Sequence, residues 1–196
     1  MGDEALAFAA HEVNELEKGL AELAQPGRLA ALSETAAAVV SCLGRGNKVL
    51  FCGNGGSAAD AQHLAAELVG RQNYDRAPAA GIALSVDTSV LTALGNDYGY
   101  DTIFSRQVRA LGKPGDILVG ISTSGRSKNV VEALRAAREG GISTIAFTGR
   151  EPRDMGSADY VLAMPADETA KIQELQLVAG HIIFALAERA LFPRAG

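Results

Sequence analysis

The sequence predicts an α/β fold, in which a parallel sheet is covered by helices on both faces and preceded by a pair of helices. From residue 48 onward, short apolar runs alternate with helical patterns, which is typical of a parallel sheet. Before residue 48, two apolar stripes with a spacing of three to four residues indicate two amphipathic helices. Hydrophobic residues make up 47% of the 196 residues, enough for a substantial core.

The leading helical pair is divided at Pro26 and Gly27, where the periodic pattern breaks. The first stripe consists of Leu6, Ala9, Val13, Leu16, Leu20 and Leu23. The second consists of Leu29, Leu32, Ala36, Val39, Val40 and Leu43. An apolar stripe needs a partner surface, and that surface is either the rest of the domain or another copy of the chain.

The strand and helix patterns then follow one another along the chain. The predicted strands span residues 48–52, 81–85, 116–122, 143–148 and 159–165. The predicted helices span residues 57–71, 88–95, 101–111, 127–139 and 168–191, and residues 72–80 are expected to form a surface loop. Ligands bind beyond the carboxyl ends of the strands in such sheets, so the loops that follow strands hold the candidate site.

Charge and cysteine content exclude several classes of protein. The formal net charge is -5 and no basic stripe is present, which argues against nucleic acid as a partner. Cys42 and Cys52 lie in apolar segments and are interpreted as core residues in a reducing compartment. The chain lacks a signal-peptide pattern and an apolar run of the ~20 residues that a membrane span needs. We therefore expect a cytoplasmic protein without a membrane partner.

The loop after the first strand reads GNGGS, residues 53–57. Its glycines allow positive φ angles and the close approach of a ligand. Ser57 and Asp60 are expected to form a capping box at the start of the next helix, whose free N–H groups attract anions or hydroxyls. The loop matches neither the G-x-G-x-x-G nor the P-loop nucleotide fingerprint. Taken alone, the glycines fit a tight strand–helix turn equally well.

A second loop, ISTSGRSKN at residues 121–129, also follows an apolar strand and opens a helix. Four hydroxyls within six residues, together with helix-start N–H groups, suit the oxygens of a phosphate monoester. A serine-rich turn is the alternative, but the density and position of the hydroxyls favour phosphate. The four hydroxyls belong to Ser122, Thr123, Ser124 and Ser127.

His63 and Glu67 lie one helical turn apart on the same helix face. An imidazole and a carboxylate at this spacing can share a metal ion or act as an acid/base pair. A surface contact is the simpler alternative, and this pair by itself does not exclude it.

The last predicted helix carries two polar positions, Gln173 and His181, in an otherwise apolar segment. A single histidine in that setting is more typical of a hydrogen-bonded core residue than of a ligand. Eight residues of helix rise about 12 Å, so both side chains reach one point only if each leans inward from its own end.

The segment TALGNDYGY contains the remaining polar candidates, Asn96 and Asp97. The helix before them is expected to end at Gly95, which would place both residues in a loop. There they could cap the helix or bind sugar hydroxyls.

Four stretches together resemble the sugar isomerase (SIS) domain family, and within it the phosphoheptose isomerases. They are GNGGSAADAQHLAAELVGR, LTALGNDYGYDTIFSRQV, GISTSGRSKNV and KIQELQLVAGHII. The first and third motifs occur across SIS domains, whereas the H-x-x-x-E pair joined to a late I-Q-E…H helix is more specific. The resemblance covers nearly the whole chain.

The resemblance implies a three-layer SIS fold with a five-stranded parallel sheet between helices. Residues 1–196 would form a single SIS domain, and residues 1–46 would serve as N-terminal oligomerisation helices. It further implies a homotetramer with active sites at the subunit interfaces.

The resemblance also assigns roles to individual residues. Glu67 and His181 match the family's acid/base residues, and the matched ligands would hold one zinc ion per subunit. The zinc ligands would be His63, Glu67, Gln173 and His181. The substrate contacts would be Asn54, Gly55, Gly56, Ser57, Glu67, Asn96, Asp97, Ser122, Thr123, Ser124, Ser127 and Gln173.

The activity that the resemblance implies is the conversion of D-sedoheptulose 7-phosphate to D-glycero-D-manno-heptose 7-phosphate, the first step of ADP- or GDP-heptose biosynthesis. Three alternatives stay open: a non-catalytic SIS protein that binds a replication initiator, an isomerase of another sugar phosphate, and a sugar-phosphate-sensing regulatory domain. The joint presence of His63, Glu67, Gln173 and His181 favours the enzyme.

Overall fold

The strands form one parallel sheet in the computed structural model, which describes residues 2–194. They are β1 (Val49–Gly53), β2 (Gly81–Ala83), β3 (Ile117–Ser122), β4 (Ser143–Thr148) and β5 (Tyr160–Ala163). Their order across the sheet is β2-β1-β3-β4-β5, and every neighbouring pair is parallel. The five-stranded parallel sheet that the sequence predicted is therefore confirmed, with strand bounds that differ by one or two residues.

The helices lie where the periodicity predicted them. They are α1 (Asp3–Leu23), α2 (Pro26–Gly44), α3 (Gly56–Val69), α4 (Thr88–Tyr98), α5 (Ile103–Leu111), α6 (Lys128–Glu139) and α7 (Thr169–Leu191). Short 3-10 turns occur at Tyr100–Thr102 and Arg153–Met155. The leading helical pair is confirmed, and Pro26 is the first residue of α2, where its missing N–H has no intrahelical partner to lose.

Two hydrophobic layers enclose the sheet. On one face, residues of α2, α3 and α7 pack with Phe51 of β1, whose ring lies 5.6 Å from that of Phe184. On the other face, residues of α5 and α6 pack against Leu50 and Leu118. Cys42 and Cys52 are buried and free, as predicted, and burial raises the pKa of the Cys52 thiol to about 12.

The connections that follow β1 and β3 cross opposite faces of the sheet. After β1 the chain enters α3 on the face of the first layer, whereas after β3 it enters α6 on the opposite face. A crevice at the carboxyl ends of two such strands is the usual ligand site of doubly wound folds. The loops after β1 and β3 are the GNGGS and STSGRS segments, so the fold brings both predicted loops to this point.

Helix α4 corrects one prediction. It continues through Gly95 to Tyr98 and ends at Gly99, which has a φ of 83°. Asn96 and Asp97 therefore lie in the last helical turn and not in a loop. The glycine with the positive φ angle, and not the first glycine of the segment, sets the end of the helix.

The stripe on α1 divides between two environments. Leu23 is buried and Leu16 packs partly against the core, whereas Leu6 and Val13 are 70% and 59% exposed. Two of the six residues of the predicted stripe, Leu16 and Leu23, therefore pack against this chain, and the other four are exposed. None of the helices within residues 2–194 is long and apolar enough to cross a membrane.

Candidate functional site

The loops after β1 and β3 are joined by a pair of asparagines. Asn54 donates its side-chain amide to Asn129 Oδ1 at 2.9 Å, and Asn129 donates back to Asn54 Oδ1 at 2.9 Å. The hydroxyl of Tyr100 donates to the same Asn54 oxygen at 3.1 Å. Asn129 is buried, so this reciprocal bond fixes the two loops relative to each other.

The start of α3 differs from the predicted capping box. The N-cap residue is Gly55, with a φ of 56°, and no side chain caps the helix. Ser57 lies inside α3 and is buried, so it cannot cap the helix start, and the Ser57–Asp60 box is wrong. A left-handed N-cap is accessible to glycine, which explains why this loop needs a glycine before the helix.

Three of the four predicted hydroxyls gather at the end of β3. Ser122 Oγ lies 2.9 Å from Ser127 Oγ and 3.4 Å from Ser124 Oγ. The backbone N–H of Arg126 donates to Ser124 Oγ at 3.2 Å. Ser127 is the N-cap residue of α6, so the hydroxyls surround a helix start, where N–H groups and the helix dipole favour an anion. Thr123 lies in the same turn and is half-buried.

Helices α3 and α7 lie side by side and run in the same direction. Near the start of α3, a Cβ on Gly56 would overlap the side-chain amide of Gln173. Further along, a Cβ on Gly180 would lie 2.8 Å from Leu64 Cδ2. The two glycines therefore permit the close approach that brings His181 beside the exposed end of α3.

The structure brings His63, Glu67 and His181 together. His63 Nε2 lies 2.9 Å from His181 Nε2, and Glu67 Oε1 lies 3.3 Å from the former and 3.2 Å from the latter. The side chain of Glu67 is 14% exposed, whereas those of His63 and His181 are 50% and 38% exposed. His181 therefore lies in a partly exposed cluster with His63 and Glu67 and is not buried in the core.

The geometry of these three groups fits a zinc ion. Ligands at ~2.0–2.2 Å in tetrahedral geometry lie roughly 3.3 Å from one another, close to the distances observed among Glu67 Oε1 and the two histidine nitrogens. The second carboxylate oxygen of Glu67 is buried and has no hydrogen-bond partner among the described residues. Two imidazoles and a carboxylate are a donor set that catalytic zinc sites use.

The other predicted site residues have separate locations. The amide of Gln173 lies against Gly56, at the start of α3, and its role as a fourth ligand stays a prediction. Asn96 and Asp97 lie on the exposed end of α4, where Asn96 donates to Asp97 Oδ1 at 2.7 Å. Helix α4 has no fully buried residue, and it packs on the rest of the chain through the partly buried Leu91 and Leu94.

Sequence reasoning missed a buried polar network behind the cluster. It connects the segment after α3, residues 72–76, with Glu188 near the end of α7. A glutamate inside an apolar helical stripe is the signal that could have located it. The predicted surface loop is a loop, but the side chain of Arg76 within it is only 4% exposed.

Asp60 is a further polar residue on α3, one turn before His63. Its Oδ2 atom is buried and has no hydrogen-bond partner among the described residues. Burial raises the pKa of the Asp60 carboxyl above its ordinary value, and the nearby His63 only partly opposes this.

The chain is similar to known proteins over most of its length. A family model described as the SIS domain matches residues 13–149, from within α1 to just after β4. The phosphoheptose isomerase of Akkermansia muciniphila is 51% identical to the chain over 162 residues, which is 82% of this chain and 86% of that protein.

Two solved structures share the fold over nearly the whole length. The phosphoheptose isomerase of Neisseria gonorrhoeae superposes with a TM-score of 0.80 and 42% identity, covering 95% of this chain and 96% of the other. The phosphoheptose isomerase of Francisella tularensis superposes with a TM-score of 0.88 and 35% identity, covering 94% and 98%.

Proposed function

Because the chain belongs to the SIS domain family and, within it, to the phosphoheptose isomerases, we propose that it interconverts D-sedoheptulose 7-phosphate and D-glycero-D-manno-heptose 7-phosphate. The observation that carries the proposal is the meeting of Glu67 Oε1 with His63 Nε2 and His181 Nε2. A carboxylate and imidazoles at this separation can move protons and hold a metal ion, both of which suit an aldose–ketose isomerisation.

The reaction moves one proton between C1 and C2 of the sugar and another between the two oxygens. In the direction of aldose formation, Glu67 takes the proton from C1 and returns it to C2 of the resulting enediol. His181 moves the proton between the hydroxyl oxygen at C1 and the carbonyl oxygen at C2. A base for the carbon acid and a separate acid/base for the oxygens are what this chemistry requires.

The two oxygens of Glu67 have different surroundings, and this bears on its two proposed roles. Oε1 faces the two histidines, whereas Oε2 is buried without a hydrogen-bond partner among residues 2–194. A carboxylate that shares one oxygen with a metal is a weaker base than a free one. Because Oε2 is shielded in this arrangement, Glu67 would have to shift away from the metal before it takes the proton from carbon.

The phosphate is proposed to bind the loop after β3. Ser122, Ser124 and Ser127 place hydroxyls around the start of α6, and Thr123 lies in the same turn. Asn54 and the GNGGS backbone would contact the sugar, with Asn96 and Asp97 approaching from α4. Binding energy at the phosphate can position the reacting carbons against Glu67, although it takes no part in the proton transfer.

We propose zinc, one ion per subunit, as the metal that His63, Glu67 and His181 hold, with Gln173 as the fourth ligand. Zinc bound there would act as a Lewis acid that polarises the oxygens at C1 and C2. The chain's own groups would still supply the proton transfers and the orientation of the substrate.

We propose that the functional form is a homotetramer in which residues 1–46 mediate assembly. Leu6, Phe8 and Val13 are exposed on α1, and an exposed apolar stripe of this kind favours an interface between copies. Helix α4 has no buried residue within the chain, which supports a site completed by a second subunit. We further propose a cytoplasmic location and a place in nucleotide-activated heptose synthesis.

The test is incubation of the purified protein with sedoheptulose 7-phosphate, with and without a chelator and added zinc, followed by NMR. Formation of the manno-heptose 7-phosphate that falls on chelation and returns with zinc is the expected result. Turnover that does not change on chelation would support the isomerase activity and contradict a role for the metal. A folded protein without turnover in any condition would favour a non-catalytic SIS protein, and turnover of another sugar phosphate alone would change the substrate.

A further inference from the structure

Glu188 of α7 is the anchor of the buried network behind the cluster. Its Oε1 accepts hydrogen bonds from the backbone N–H of Gln72 at 3.0 Å and from Arg76 Nε at 3.1 Å. Its Oε2 accepts from the backbone N–H and the side chain of Asn73, at 2.9 and 3.0 Å. The side chain of Glu188 is 1% exposed, and its carboxylate binds three residues of the segment 72–76 to α7.

Arg76 extends the network from Glu188 to the end of α3. Its Nη2 donates to the backbone carbonyl of Glu67 at 2.7 Å, and its Nη1 donates to the carbonyl of Leu68 at 2.8 Å. These carbonyls belong to the last turn of α3, where no further helical N–H groups follow. The planar guanidinium thereby fixes the backbone of the proposed base directly.

Gln72 makes the matching contact to α7. Its side-chain amide donates to the backbone carbonyl of His181 at 2.9 Å. The other end of that amide, Oε1, is buried and has no partner among residues 2–194. Among residues 2–194, the hydrogen bond to the His181 carbonyl is therefore the polar contact that the Gln72 side chain makes.

We propose that Gln72 and Arg76 are positioning residues, which Glu188 anchors and which set the separation of Glu67 and His181. The segment 72–76 binds the backbone of both proposed catalytic residues, so it connects α3 and α7 on the side of the site away from solvent. Groups that hold metal ligands in place affect metal affinity and turnover, because small displacements disrupt the required geometry. The expected effect on kcat rests on the proposed function, whereas the expected effect on metal affinity does not.

The experiment compares Gln72→Met, Arg76→Lys and the control Tyr74→Phe. Methionine retains the length of Gln72 without the donor, and lysine retains the charge of Arg76 without the fork. Tyr74 lies in the same segment, but its hydroxyl contacts the carbonyls of Glu188 and Phe192, at 3.2 and 2.9 Å, away from the cluster. For each variant, the zinc Kd is measured by competition with a chromogenic chelator, beside kcat, KM and thermal unfolding.

Gln72→Met and Arg76→Lys are expected to weaken zinc binding about tenfold or more and to lower kcat, with little change in KM. Tyr74→Phe is expected to keep the zinc Kd and kcat of the wild type, whatever its effect on unfolding. Wild-type zinc affinity and kcat in Gln72→Met, or an equal loss in Tyr74→Phe, would overturn the inference. If the wild type binds zinc but does not isomerise the sugar, the proposed function fails, and the Kd series still decides the positioning role.

Discussion

Glu67 Oε1 lies 3.2 Å from His181 Nε2, although one residue is on α3 and the other on α7. His63 Nε2 lies within 3.3 Å of the same oxygen. This contact turns two separate polar positions of the sequence into one site, and it identifies Glu67 as the residue on which the proposed chemistry depends most.

Replacing Glu67 by glutamine should remove turnover while sparing substrate binding. The amide retains the shape of the side chain but cannot take the proton from carbon, so kcat should fall about 10²–10⁴-fold. Steady-state kinetics and the affinity for the sugar phosphate measure the two effects. A variant with near-normal kcat would show that another group is the base.

Replacing Ser124 by alanine should weaken phosphate binding more than it affects the metal. Its hydroxyl lies 3.4 Å from Ser122 Oγ at the start of α6, and one hydrogen bond to a charged group corresponds to roughly a tenfold or larger rise in KM. Zinc content per chain should not change. Ser33→Ala on the exposed side of α2 is the matched control, and parallel loss of zinc and affinity would indicate misfolding instead.

Replacing Gly56 by alanine should displace the amide of Gln173, which a new Cβ would overlap. Gly56 is the first residue of α3, where alanine favours the helix by at most about 1 kcal/mol relative to glycine, so stability should change little when the flexible end of Gln173 moves aside. We therefore expect lower kcat or zinc affinity at unchanged or higher unfolding temperature. Gly27→Ala, at a helix position with open space, is the control that should leave activity intact.

The stability contributed by Glu188 should depend on pH. Burial alone would raise the pKa of Glu188, but the hydrogen bonds from Gln72, Asn73 and Arg76 outweigh it and hold the pKa below its ordinary value. A lowered pKa in the folded state gives stability that is present above the unfolded pKa and is lost as pH falls through the folded value.

Glu188→Gln should therefore be less stable than the wild type at neutral pH, by about 3 kcal/mol, because one partner of a buried ion pair is removed. The difference should narrow as pH falls below the ordinary glutamate value of about 4.3. Urea unfolding across this range measures it. Glu139→Gln, which removes an exposed pair with Arg109, is the control and should change stability by less than about 1 kcal/mol at any pH. A difference that stays constant down to acid pH would contradict the assignment.

Charges placed on the exposed stripe of α1 should break the proposed tetramer. The double variant Leu6→Glu and Val13→Glu puts two carboxylates where the stripe would meet another copy. Sedimentation velocity should show smaller species with reduced kcat. Lys18→Glu, on a different face of the helix, should remain assembled, and a tetramer that tolerates the double variant would place the interface elsewhere.

Local patterns predicted much of the fold. Strand-length apolar runs between helical periods gave the five parallel strands, because hydrogen bonding and burial on both faces impose that pattern on each strand. They also placed the GNGGS and STSGRS loops after strands. Capping was less predictable: the rule applied to Ser57 failed because the N-cap is Gly55, which has a positive φ and lies two residues earlier.

The site itself was only partly visible in the sequence. The H-x-x-x-E spacing predicted that His63 and Glu67 share one face of a helix. Periodicity alone showed only that His181 lies in an otherwise apolar helix. Its position was decided by the close packing of α7 on α3, which Gly56 and Gly180 permit. The Glu188 network was missed since its hydrogen bonds join residues far apart in the chain.

By itself, the sequence determined the element types, the parallel sheet and the residues of its strand-end loops, because each depends on periodicity and turn chemistry within a few neighbouring residues. The tertiary structure decided what the residue patterns left open. It brings His63, Glu67 and His181 into one cluster, as the family resemblance implied, and it alone shows that Arg76 and Gln72 donate to the backbone carbonyls of Glu67 and His181, respectively. The physical reason is that contacts between α3 and α7 depend on how the two helices pack on the same face of the sheet. A pattern within a few neighbouring residues carries no information about the distance between two helices that are far apart in the chain.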